Sequence, residues 1–303
     1  MKCLLLLLIS FSLFAEPIRY EMNLQDEVMS YYIDMPDVDG TVPLVLVIEG
    51  SYCANSGPQS ILRLHEVMVS DFHGAAIGVA TIERRGVDGH DKINVEKYHA
   101  FNTPTQRLLD HLKFVEHLQA RPPERWNGQL FILGGSEGGP IAIKLAHSVN
   151  PAACVVLVGC GDQTFKEYIW HTLQSAPFWK RVWVTCIGDM PFTRASYEAR
   201  VARMKSNPTP EKFWYGQTYR YWADALDQFE MDAFLQLKCP VFVVTGTQDL
   251  ECPSTDRLIA RAKAQGQDVT YLRVEGMAHG VLDSKWNVMP KILDFFIANK
   301  TMQ

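Results

Sequence analysis

The segment Phe131-Ile-Leu-Gly-Gly-Ser-Glu-Gly-Gly139 constrains this chain more than any other. Leu130–Leu133 is an apolar run suited to a buried strand, and Gly138–His147 has the composition and spacing of a helix. Between them stand Gly134, Ser136 and Gly138. A strand that turns this abruptly into a helix forces the residue at the turn into a strained backbone, and its neighbours two positions away must be small. Ser136 is that residue, so its hydroxyl is expected at a helix N-terminus, where unpaired N–H groups favour negative charge. A Gly-x-Ser-x-Gly alone arises by chance, but here the strand before it and the helix after it supply the required context. A phosphate-binding loop is the competing reading of so many glycines, yet no Gly-Lys-Ser/Thr follows.

A serine hydroxyl is a poor nucleophile at neutral pH and needs a base, which in turn needs an orienting acid. The chain offers both at predicted strand ends. Val241-Phe-Val-Val-Thr-Gly-Thr-Gln-Asp249 is an apolar run closing on a glycine turn and Asp249. Tyr271-Leu-Arg-Val-Glu-Gly-Met-Ala-His279-Gly280 closes on His279. Of nine histidines, His279 is singled out because it follows the last strand, downstream of Asp249. Glu251 rivals Asp249 as the acid but falls two residues further on. An oxyanion site needs preorganised N–H donors. One is expected from Glu137, directly after Ser136. The other is expected from the loop after Leu44–Ile48, where Gly50 permits close approach: Ser51 N–H, with Tyr52 as the alternative. No cofactor is required by this chemistry, and no C-x-x-C or H-E-x-x-H supports a metal site.

The rest of the chain alternates apolar runs with helical patterns, which predicts a mostly parallel sheet covered by helices on both faces, the α/β class. Predicted strands are Pro17–Leu24, Val28–Met35, Leu44–Ile48, Ala75–Ile82, Leu130–Leu133, Ala153–Val158, Val241–Val244 and Val269–Val274. Predicted helices are Pro104–Gln119, Gly138–His147, Pro253–Ala264 and Val288–Ala298. In the first of these, Leu108, Leu109, Leu112 and Val115 read as the apolar face, and Asn102 or Thr103 as the cap. The first strands have no helices between them, so that edge is expected to be antiparallel. Residues 162–238 break the rhythm: they contain no clear strand and hold five of the seven tryptophans. They read as a helical cap inserted into a core formed by 16–161 and 239–303.

Hydrophobic residues make up 47% and charged residues 21% of the 303-residue chain, an ordinary globular balance. The net charge is −5 and the pI near 6.0, which leaves no basic footprint for nucleic acid. Lys2, the apolar run Cys3–Phe14 and Ala15 describe a secretory signal peptide over residues 1–15, too short to cross a bilayer. The chain is therefore expected to be exported, to the periplasm or beyond, with no stable membrane span. Of the remaining cysteines, Cys154 and Cys160 fall in an apolar run and Cys239 precedes another. They read as buried thiols, although an oxidising compartment permits disulfides.

With Ser136, Asp249 and His279 in this order and context, the chain resembles the α/β-hydrolase superfamily over nearly its whole mature length. More narrowly, it resembles the proline iminopeptidase-like serine aminopeptidases. Glu83-Arg-Arg-Gly86 matches their acid-x-Arg-Gly loop, and Asn102, Thr103 and Asp110 match positions on the next helix. It departs from them at Glu49-Gly50-Ser51, where they usually carry His-Gly-Gly, and at Glu137, where they carry an aromatic residue. Family aminopeptidases hold a substrate's free amine with carboxylates, for which Glu198, Glu211, Asp224 and Glu230 are candidates here. Arg85 reads as a structural ion pair rather than a carboxylate binder. The resemblance implies a serine hydrolase with this triad; the substrate is expected to be a small molecule or short peptide, with a carboxylic ester and a short peptide or amide both open. The alternatives are an inactive binding protein of this fold and an acyltransferase.

Overall fold

Strands covered on both faces can be apolar without interruption, and the computed structural model builds its centre from such runs. It describes residues 17–24, 27–51, 57–90, 92–175, 193–280 and 284–300; the proposed signal segment, Tyr52, Cys53 and Cys186 lie outside them. The strands are β1 (Arg19–Asn23), β2 (Val28–Asp34), β3 (Val42–Ile48), β4 (Gly78–Ile82), the short pair β5 (Val87–Asp88) and β6 (Lys92–Ile93), β7 (Trp126–Gly135) and β8 (Ala153–Leu157). Later come β9 (Phe213–Trp214), β10 (Gln217–Thr218), β11 (Val241–Gly246) and β12 (Val269–Val274). Eight strands form one sheet in the order β1-β2-β4-β3-β7-β8-β11-β12. The β1/β2 and β2/β4 pairs are antiparallel, and β4, β3, β7, β8, β11 and β12 run parallel. All residues of β3, β4, β8 and β11 are buried.

Helices cover both faces: α1 (Leu62–His73), α2 (Val95–Phe101), α3 (Pro104–Ala120), α4 (Gly138–Val149), and after the sheet centre α9 (Cys252–Ala264) and α10 (Val288–Ala298). One core cluster joins Leu44, Leu46 and Ile132 to Phe114, Ile141 and Leu258. The other joins Val45, Phe131 and Val244 to Met68, Phe72 and Phe296. Helix α3 is capped by Thr103, whose side chain accepts from Gln106 N–H, with Pro104 in its first turn, where its missing N–H costs nothing. Its buried face differs from the leucine stripe. Leu109 is 50% exposed, whereas Arg107, Asp110 and His111 are buried with Phe114, Val115 and Leu118. Tertiary partners turn polar residues inward here: Arg107 meets Glu137, and Asp110 meets Arg85. Helices α1 and α2 carry no strong sequence pattern and were not expected.

Between β8 and β11 lie α5 (Phe165–Ser175), α6 (Arg194–Ser206), α7 (Tyr219–Ala225) and α8 (Met231–Leu235). This segment has its own apolar cluster, centred on Tyr197, Met204, Trp214, Tyr221 and Trp222. The absence of strands expected here needs correcting: β9 and β10 form a two-residue-loop hairpin. Tyr215 and Gly216 both have positive φ, 42° and 82°, the backbone a tight hairpin demands. Trp222 Nε1 donates to Trp214 O at 2.6 Å and ties the hairpin to α7. Cys154, Cys160, Cys239 and Cys252 are buried free thiols. Among the described residues no helix is long and apolar enough to cross a membrane.

Candidate active site

Ser136 occupies the turn from β7 into α4 with φ 52°, a left-handed backbone that is rare for a non-glycine residue and marks strain held by its surroundings. The helix can start this close to the sheet only because Gly138 lacks a side chain: a Cβ there would collide with the backbone carbonyls of Ile48 and Glu49. Gly138→Ala is therefore expected to destabilise the fold by about 2 kcal/mol or more, since backbone cannot yield cheaply. Gly74, with only Asp71 O at 3.9 Å, is the matching control. Urea unfolding of the two variants makes the comparison.

The three sequence-selected side chains meet at the carboxyl ends of the strands. Ser136 Oγ lies 2.8 Å from His279 Nε2, and His279 Nδ1 lies 2.7 Å from Asp249 Oδ2. Asp249 follows β11 and its side chain is 2% exposed; His279 follows β12 and is 45% exposed. With Nδ1–H donating to the carboxylate, Nε2 is left to accept the serine hydroxyl proton. The hydrogen bond to Asp249 raises the His279 pKa above the ordinary histidine value against the opposing effect of burial. Asp249 is held in turn by the backbone N–H of Glu251, 3.0 Å from Oδ1. Glu251 thus supports Asp249 rather than displacing it.

Gly50 approaches Ser136 so closely that an added Cβ would lie 3.0 Å from Ser136 Cβ. This brings the Glu49–Ser51 loop beside the serine. Ser51 is exposed; the alternative donor, Tyr52, lies outside the described residues.

Charged side chains behind these two loops fix them. Arg107, on α3, is 2.5 Å from Glu137 Oε1 and donates to Glu49 O at 2.7 Å. Tyr221 Oη donates to Glu137 Oε2 at 2.8 Å. Burial alone would raise the Glu137 pKa; Arg107 and Arg84 outweigh it and hold the carboxyl below the ordinary glutamate range. Arg84 bonds Glu49 Oε1 at 2.5 Å, Asn102 Oδ1 at 3.0 Å and the Gly50 carbonyl. Glu83 accepts from Tyr32, Ser60 and the Ile61 N–H. Arg85 is bidentate to Asp110 at 2.9 to 3.1 Å and reaches Glu27, the ion pair expected of it. The Glu83-Arg-Arg-Gly86 loop is thus a scaffold for the serine's surroundings. Arg107, and the side chains of Glu49, Glu137 and Tyr221, were missed by sequence reasoning. The available signal was charge on α3 at positions where an amphipathic helix buries its face.

Two recesses adjoin the site. One, of about 280 Å³, is lined by Ser136, His279, Gly50, Leu64, Met68 and Val158. The other, of about 190 Å³, is lined by Leu108, Ile141, Phe165, Tyr168 and Tyr221, with Glu137, Lys144, Glu230 and Glu251. Glu230 is buried, and burial pushes its pKa up to about 8. The other acidic candidates are otherwise engaged or exposed. Asp224 accepts from Thr105 N–H and Oγ1 at 2.8 and 2.6 Å, tying α7 to the start of α3. Glu198 pairs with Arg194, and Glu211 is exposed.

Comparison with known proteins agrees with this architecture. The family model described as serine aminopeptidase, S33, matches residues 59–285. The chain belongs to this family, and it is a serine hydrolase of the α/β-hydrolase fold. No curated protein sequence matches it. Among solved structures, Est1E from Butyrivibrio proteoclasticus, with ferulic acid bound, has a TM-score of 0.61 at 16% identity, covering 92% of this chain and 98% of that one. A highly thermostable carboxyl esterase from Bacillus coagulans, in complex with glycerol, has a TM-score of 0.61 at 13% identity, with 93% and 98% covered. An acylaminoacyl peptidase from Pyrococcus horikoshii has a TM-score of 0.58 at 14% identity, with 95% of this chain and 42% of that one covered. At such identities these likenesses concern the fold.

Proposed function

We propose that this protein is an exported hydrolase that cleaves a carboxylic ester or short amide through an acyl-enzyme on Ser136. The observation that carries the reading is the continuous chain Ser136 Oγ–His279 Nε2 and His279 Nδ1–Asp249 Oδ2, at 2.8 and 2.7 Å. His279 takes the hydroxyl proton as Ser136 Oγ bonds to the substrate carbonyl carbon. The negative charge on the former carbonyl oxygen is met by the N–H groups of Glu137 and Ser51. As the intermediate collapses, the carbonyl–leaving-group bond breaks and His279 returns the proton to the leaving group. Water, deprotonated by His279, then releases the acid and restores Ser136. Asp249 holds the productive tautomer and stabilises the imidazolium.

The aromatic and aliphatic lining of the cavity beside Glu137 favours an apolar or aromatic acyl group. The segment 162–238, which supplies Phe165, Tyr168 and Tyr221 to that lining, serves as a cap over the sheet's carboxyl edge. Lys2 followed by the apolar run to Phe14 and Ala15 supports export.

Labelling of the purified protein with a fluorophosphonate, followed by mapping of the modified peptide, tests the mechanism. A single adduct on Ser136, lost in His279→Ala, is expected. A folded protein that takes no label would point instead to a binding protein of this fold. Aryl esters assayed against aminoacyl amides then separate the two substrate classes.

A further inference from the structure

Glu251 follows Asp249 by two residues and leads into α9. Its N–H donates to Asp249 Oδ1 at 3.0 Å, the oxygen His279 leaves free. Its carboxylate accepts the Gly159 N–H at 2.7 Å, and Gly159 packs on the Ser136 backbone with no room for a Cβ. One oxygen each of Glu251 and Asp249 and one ring nitrogen of His279 all lie within 4.8 Å of one another. Glu251 is therefore tied to the acid through its main chain, to the base through space and to the serine through Gly159.

We propose that Glu251 is a second acid for His279: a positioning residue whose carboxylate shares the imidazolium charge with Asp249 and sustains part of the reaction when Asp249 is lost. The inference rests on the Ser136–His279 chemistry proposed above. Among the described residues, the groups beside Glu251 are Asp249, His279, Glu230 and Tyr168, with the Cys160 thiol after β8, while Lys144 and Glu137 line the same recess. Of these, His279 is the group that gains a positive charge during the reaction, so an ionised Glu251 gains a favourable partner when the imidazole is protonated. Burial and the Asp249 charge push the Glu251 pKa up to about 7, while His279 pulls it down. Each acts on the other: the Glu251 charge raises the His279 pKa, and the His279 charge lowers that of Glu251.

The test is kcat/KM for p-nitrophenyl acetate from about pH 5 to 9, for the wild type, Glu251→Gln, Asp249→Ala and the double variant. A nearby anion favours the imidazolium, so removing it lowers the His279 pKa. The acid limb of the Glu251→Gln profile is expected to move to lower pH by several tenths of a unit. A purely structural role would lower the rate without moving that limb. Asp249→Ala is expected to lose on the order of 10⁴-fold. Adding Glu251→Gln to it should cost a further tenfold or more, exceeding its cost in the wild-type background. If Glu251→Gln does not fold, Glu251→Met fills similar space without charge and replaces it in both comparisons. An unmoved limb, with the double variant within twofold of Asp249→Ala, overturns the second acid. Absence of a fluorophosphonate adduct on Ser136 in the wild type, or turnover retained by Ser136→Ala, overturns the hydrolase mechanism itself, so the two failures are distinguishable.

Discussion

Ser136→Ala is expected to lower kcat by on the order of 10⁴- to 10⁶-fold while leaving the fold intact, because members of a serine–histidine–acid unit act together and their losses do not add. The hydroxyl is small, partly exposed and, among the described residues, bonded to His279, so its removal opens no core cavity. Alanine also suits the left-handed turn no worse than serine does. The measurement is paired: initial rates on an aryl ester, and a urea midpoint for each protein. Residual turnover above the solution rate would be assigned to the oxyanion donors and to binding alone. An Ala variant within tenfold of the wild type would remove Ser136 from the mechanism, whatever its distance to His279.

The second large effect concerns stability. Arg107→Ala should destabilise the protein by about 3–5 kcal/mol, the range for stripping one partner from a buried ion pair. The Arg107 and Glu137 side chains are 4% and 9% exposed, so little water compensates. The loss reaches two loops at once, because the same guanidinium holds the Glu137 carboxylate and the Glu49 carbonyl. Arg107→Lys should recover only part of it, since a single ammonium lacks the fork that spans both acceptors. Glu137→Gln in the Arg107→Ala background should restore much of the stability, because the stranded charge is then gone. The sign with pH follows from Glu137. Its folded pKa is depressed by Arg107 and Arg84, so the stabilisation is present above the ordinary glutamate pKa and is lost as pH falls through the lower folded value. Urea unfolding at pH 7 and at pH 4 therefore separates the variants most at the higher pH. An Arg107→Ala midpoint equal to wild type at pH 7 would show that the pair contributes nothing net.

Much of the architecture was legible because sheet burial writes itself as composition. Leu44–Ile48 and Ala153–Val158 admit no polar face, and in the structure every residue of β3 and β8 is buried. Proline and glycine fixed several ends: Pro104 and Thr103 open α3 as expected. Less was legible where a long-range partner decides the matter. Leu109 looked like core and is half exposed, because Arg107 and Asp110 turn inward to meet Glu137 and Arg85. The hairpin at Tyr215-Gly216 is not legible in the sequence, because strands of two residues leave no periodicity to read.

By itself the sequence determined the order of the eight sheet strands and of α3, α4, α9 and α10, the serine turn and the choice of Asp249 and His279, since each depends on local sterics or on position relative to an apolar run. Only the tertiary structure decided how close those side chains stand, which charges lie behind them and where Glu251 falls. Those depend on residues brought together across the chain: Ser136 and His279 are 143 positions apart, and Gly159 and Glu251 are 92 apart. No local pattern encodes a distance that the packing of the whole sheet sets.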